Sequence, residues 1–111
     1  MARALVHLPE SIRAGQAFEV QATIAHPMET GYRPGADGVL LARDLIRQFS
    51  ATLIEGTSSR TVFTAELHAA VSANPYLAFY LRLQRSGTLV LRWDGDQGFH
   101  HEERRNLAVR A

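Results

Sequence analysis

Apolar and polar residues alternate with a period of two along most of the chain, the signature of strands that bury one face. From Gln16 to Ala25, Phe18, Val20, Ala22 and Ile24 fall on one side, while Glu19, Gln21 and Thr23 fall on the other. Ala4, Val6 and Leu8 predict a shorter strand closed by Pro9. Phe49, Ala51 and Leu53 predict another, ended by Glu55-Gly56 and the turn residues Thr57-Ser58-Ser59. Phe63, Ala65 and Leu67 mark a fourth. After the segment His68 to Pro75, the run Tyr76 to Arg85 places Leu77, Phe79, Leu81 and Leu83 on one face, which turns Tyr76, Ala78 and Tyr80 outward.

Read as a three-residue hairpin loop, Arg85-Ser86-Gly87 puts Gly87 in the left-handed position that such loops favour. Leu83 then faces Leu89, Leu81 faces Leu91 and Phe79 faces Trp93. A two-residue loop would set Leu81 against Arg92 and Phe79 against Asp94, so the longer loop is the better fit. In that register Tyr80 lies beside Arg92, a cation–π pair worth about 0.5 to 1 kcal/mol at an exposed site. The turn Asp94 to Gly98 leads to a last strand in which Phe99, Leu107 and Val109 are apolar. Its middle, His100 to Arg105, is charged on both faces, as at a sheet edge or a bulge. Only Gly38 to Ile46 has helical spacing, through Leu41 and Leu45. Val39, Leu40 and Ile46 scatter around the axis, so an extended or single-turn segment is expected. About seven short strands without a long helix predict an all-β fold, an immunoglobulin-like antiparallel β-sandwich.

Length changes this picture little: 111 residues with 46% hydrophobic content suit one domain over residues 1–111, without linker, repeat or low-complexity run. Formal net charge is +1, and all twelve basic residues are arginines interspersed with acids. No stripe of them marks a nucleic-acid surface, so no nucleic-acid partner is expected. The chain has no cysteine, which removes disulfides, thiolate nucleophiles and redox pairs. The apolar run in Met1 to Pro9 is too short for a signal peptide and no stretch could span a bilayer, so no membrane insertion is expected. On its own this chain would stay in the cytoplasm.

Candidate chemistry is sparse. His26 sits at a strand end before Pro27 and could ligate a metal; alternatively it is a loop histidine bonded to backbone while Pro27 sets the turn. His68, His100 and His101 form no short ligand motif, and adjacent histidines on a strand point to opposite faces. Asp94 and Asp96 flank Gly95 and could bind calcium weakly, but the pattern lacks further oxygen donors and reads as a hairpin turn. Ser58, Ser59, Ser72 and Ser86 have no histidine and acid beside them. No catalytic residue, cofactor or metal site is therefore assigned. The chain reads as a domain that binds rather than transforms.

His26-Pro27-Met28-Glu29-Thr30-Gly31, taken with Arg33, Arg43-Asp44, Ser72-Ala73-Asn74-Pro75-Tyr76, Ser86-Gly87-Thr88-Leu89 and Trp93-Asp94-Gly95-Asp96, resembles the SoxZ family over nearly the whole chain. Ala42 departs from a proline frequent there, and the Gly56 to Arg60 turn is longer and more polar than usual. The resemblance implies the cysteine-free half of a heterodimer with a SoxY-like protein, whose C-terminal cysteine carries thiosulfate-derived sulfur in the periplasm. It implies docking of other Sox enzymes, and export on a signal-bearing partner. The isolated chain could form a homodimer. Superoxide reductases, also immunoglobulin-like, share the His-Pro-Met run, but their iron-bound cysteine is absent; an autonomous metal module is the alternative. Candidate interface residues are His26, Met28, Glu29, Arg33, Tyr76 and Tyr80.

Overall fold

Each long apolar alternation becomes a strand with one buried face. A computed structural model describes residues 3–25, 34–40, 45–67, 75–96 and 98–110. Its strands are β1 (Arg3–His7), β2 (Ile12–Arg13), β3 (Phe18–Ala25), β4 (Ile46–Glu55) and β5 (Ser58–Glu66). They continue with β6 (Tyr76–Leu81), β7 (Gly87–Gly95), β8 (His100–Leu107) and β9 (Val109–Arg110). In β3, Phe18, Val20, Ala22 and Ile24 are buried and the residues between them are not, as the alternation requires.

Two antiparallel sheets carry the fold, one ordered β1-β3-β6 and the other β5-β4-β7-β8. The short β2 and β9 pair in parallel. The sheets meet through aromatic rings. Phe79 of β6 stacks on Phe63 of β5 at 4.5 Å and lies 6.0 Å from Phe49 of β4, which in turn lies 5.1 Å from Trp93 of β7. Such ring pairs add about 0.5 to 1.5 kcal/mol each beyond the area they bury. Val20, Ile24, Leu53, Leu89 and Leu91 complete the fully buried layer. The indole N–H of Trp93 is buried with no acceptor among the described residues, a cost of about 1 to 3 kcal/mol that burial of the ring offsets. The expected all-β, immunoglobulin-like sandwich is the observed fold, with seven longer strands and no helix among the described residues.

The hairpin expected at Arg85-Ser86-Gly87 does not form. β6 pairs with β3, whereas β7 pairs with β4 and β8, so residues 82–86 carry the chain from one sheet to the other. Leu81 and Leu83 meet Leu89 and Leu91 in one common core rather than in a cross-strand register. Gly15 N–H donates to Leu83 O at 2.8 Å, and Val109 N–H donates to Ser86 Oγ at 2.8 Å, which pins the crossing. Gly87 is needed for space and not for a left-handed turn, since a Cβ there would lie 2.7 Å from Ile54 O. The Tyr80–Arg92 pair fails for the same reason. Tyr80 faces outward beside Glu19 on the three-stranded sheet, and Arg92 faces outward between Ser50 and Glu102 on the other.

Other turns are tighter than expected. Glu55 pairs with Ser58, so the β4–β5 loop is only Gly56-Thr57, with Gly56 at φ 60, and Ser58, Ser59 and Arg60 belong to β5. At the β7–β8 turn, Gly95 N–H donates to Phe99 O and Phe99 N–H to Asp96 O, both at 3.0 Å, the hairpin expected there. β8 lies at the edge of its sheet, which accounts for its charged middle. Of the Gly38 to Ile46 segment, residues 38–40 close a turn bridged between Pro34 and Leu40, and Ile46 begins β4; residues 41–44 lie outside the described residues.

Candidate functional site: the outer face of the three-stranded sheet

Register places side chains on the outer face of β1-β3-β6 in rows. Leu5, Thr23 and Tyr76 form one row; His7, Gln21 and Ala78 form the next; Glu19 and Tyr80 follow, with Arg3 and Ala25 at the opposite end. Leu5 is 69% exposed, Tyr76 57% and Tyr80 69%, so three of the five exposed large hydrophobic residues among the described residues share this face. On it, Gln21 Nε2 donates to Glu19 Oε1 at 2.8 Å. Tyrosine offers a large apolar ring with a polar tip, a combination enriched where one protein packs on another. An open groove of about 390 Å³ adjoins the face, lined by residues that include His7, Ser11, Arg13, Gln16, Glu19 and Gln21.

Tyr76 and Tyr80 thus stand four residues apart on one strand and on one face, as the alternation implied. Leu5 was missed. Its signal was an apolar residue at the outward position between Ala4 and Val6. His26, Met28, Glu29 and Arg33 lie outside the described residues, as do His68 and Ser72.

Several histidines and acids elsewhere among the described residues are engaged. Asp94 accepts from Arg92 Nε at 3.0 Å and sits 3.3 Å from His100 Nδ1. Asp96 accepts from Leu45 N–H at 3.2 Å and lies 3.7 Å from Arg47, so it clamps the turn to the start of β4. On the opposite side of β8, Glu103 lies 2.9 Å from His101 Nε2 and 2.9 Å from Arg105. Those partners, the His101 hydrogen bond foremost, hold the Glu103 carboxyl below its usual range. Among the described residues no group of three His, Cys, Asp or Glu side chains could hold a metal ion. No helix among them is long and apolar enough to cross a membrane.

The family model of the sulphur oxidation protein SoxZ matches residues 6–106. The chain belongs to the SoxZ family. No curated protein matches it by sequence. Among solved structures it is similar to a superoxide reductase (neelaredoxin) from Ignicoccus hospitalis, with TM-score 0.76 and 22% identity over 96% of this chain and 80% of that one. It is similar to the sulfur carrier protein SoxY from Chlorobium limicola, with TM-score 0.65 and 14% identity over 97% of this chain and 79% of that one. At these identities the likenesses show the fold alone. Membership of the SoxZ family places the chain in sulfur oxidation.

Proposed function

We propose that this SoxZ chain is a non-catalytic subunit that pairs with a SoxY-like protein and helps present that partner's sulfur-bearing cysteine to the periplasmic enzymes of thiosulfate oxidation. One observation carries the reading: in a family of the Sox system, the outer face of the three-stranded sheet leaves Leu5, Tyr76 and Tyr80 bare. Covalent sulfur carriage needs a thiolate, and this chain has no cysteine, so the thiol must be the partner's. The fold likeness to SoxY supports a complex of two related sandwiches. His26, Met28, Glu29 and Arg33 are proposed to extend the surface formed by Tyr76 and Tyr80. Other Sox enzymes would dock transiently on the complex. Export would occur on the signal-bearing partner.

Mixing the purified chain with a SoxY-like protein and reading mass under native conditions tests the pairing. A one-to-one complex is expected, together with elemental analysis free of stoichiometric iron, copper or zinc. Two separate species, or a metal bound one per chain, would overturn the reading in favour of an autonomous module like the superoxide reductases.

A further inference from the structure

The two principal sheets end in four edge strands, β1 and β6 on one and β5 and β8 on the other. An open edge is a template for another strand, and proteins blunt it with charge, proline or bulges. Three of these edges are blunted. β1 carries Arg3 and His7, β5 carries Arg60 and Glu66 with a register shift opposite Ala51, and β8 carries the run His100 to Arg105. β6 is Tyr76-Leu77-Ala78-Phe79-Tyr80-Leu81, without charge, proline or glycine.

Register fixes which of its peptide groups face the open side. Ile24 N–H donates to Pro75 O at 3.3 Å, so that position is a hydrogen-bonded pair. In an antiparallel ladder such pairs recur every second residue, which puts Ala22 with Leu77, Val20 with Phe79 and Phe18 with Leu81 in the same class. The N–H and C=O groups of Tyr76, Ala78 and Tyr80 therefore point away from β3. Among the described residues no strand pairs with them. The same three residues turn their side chains onto the bare outer face.

We infer that β6 is an intersubunit seam: it accepts an antiparallel strand from the partner subunit, making one sheet continuous across the two sandwiches. This rests on the partner reading above and goes beyond it by naming the contact. The occupant is the edge strand that corresponds to β6 in a subunit with the same fold. The likeness to SoxY covers 97% of this chain, which gives that fold a counterpart of β6. Two such edges meeting about a pseudo-twofold axis satisfy each other's outward groups, and Tyr76 and Tyr80 flank the seam.

Amide hydrogen exchange on the full chain, alone and with the SoxY-like protein, tests this. The amides of Tyr76, Ala78 and Tyr80 should slow by about tenfold or more in the complex, while those of Leu77, Phe79 and Leu81, already bonded to β3, change far less. Ala78→Pro removes an outward donor and spares the β3 ladder. It should keep the far-ultraviolet spectrum and lose about tenfold or more in affinity. Should that variant fail to fold, Ala78→Lys supplies the edge charge instead, with the same expected loss. A complex without the alternating protection overturns the seam and leaves the partner reading intact. Absence of any complex overturns both. Protection already present in the isolated chain and unchanged by the partner overturns the assignment in favour of a second copy of this chain.

Discussion

The two outer faces of the sandwich are built by the same alternation and finished in opposite ways. On the four-stranded sheet, Arg92 and His100 share Asp94, Arg104 meets Glu102 at 3.1 Å, and Thr88 meets Asn106 at 3.1 Å. Every one of these pairs gives water a polar surface and gives a neighbouring strand nothing apolar to cover. On the three-stranded sheet, Leu5, Tyr76 and Tyr80 stand bare over Thr23 and Gln21. Strand period decides which residues face out; what those residues are decides whether the face stays in water. That difference is what the proposed partner surface on the smaller sheet rests on.

Substitutions on either face and in the shared core test that contrast. The largest effect should come from the core the two faces share. Phe49→Ala removes a ring that touches Phe63, Phe79 and Trp93, and a loss of about 3 to 5 kcal/mol in chemical denaturation is expected, with partner binding lost only through unfolding. Tyr80→Glu comes next. It should weaken partner affinity by about 2 kcal/mol or more, near thirtyfold, while the melting temperature of the free chain stays close to wild type. Arg92→Ala on the other face should change stability by no more than about 0.5 kcal/mol in the same denaturation assay, because exposed ion pairs contribute little and His100 remains beside Asp94.

The smallest effect concerns acid stability. Glu103 has a depressed carboxyl pKa in the folded chain, relative to an ordinary value of 4.5. Such a group contributes stability that is fully present above the unfolded value and is lost as pH falls through the folded one. Glu103→Gln should therefore flatten the pH dependence of unfolding below about pH 4.5 and leave the neutral-pH contrast between the faces unchanged. An unaltered acid profile would remove His101 and Arg105 from the account of that edge.

Much of the architecture was legible because burial repeats every two residues. Phe18 to Ile24, Phe49 to Leu53 and Leu77 to Leu81 were read on the correct faces, and the charged middle of β8 was read as an edge. Pairing was less legible. Alternation states which side of a strand is buried and says nothing about which neighbour it bonds to. Leu81 and Leu91 share a core whether they sit on one sheet or on two, so the β6–β7 hairpin satisfied the pattern and was still absent. Gly87 misled for a related reason: close backbone approach and positive φ both select glycine. At the candidate site, Tyr76 and Tyr80 were found through parity, and Leu5 was passed over because its strand was judged by its buried side alone.

The face of β1-β3-β6 is proposed to bind the partner, and the face of β5-β4-β7-β8 is not. Titration calorimetry of a SoxY-like protein into wild type, Tyr80→Ala and Arg92→Ala, all three verified as folded, compares matched truncations on the two faces. The account predicts a dissociation constant raised about thirtyfold for Tyr80→Ala and within about twofold of wild type for Arg92→Ala. Unchanged affinity for Tyr80→Ala, with a marked loss for Arg92→Ala, would contradict it and move the interface to the polar face.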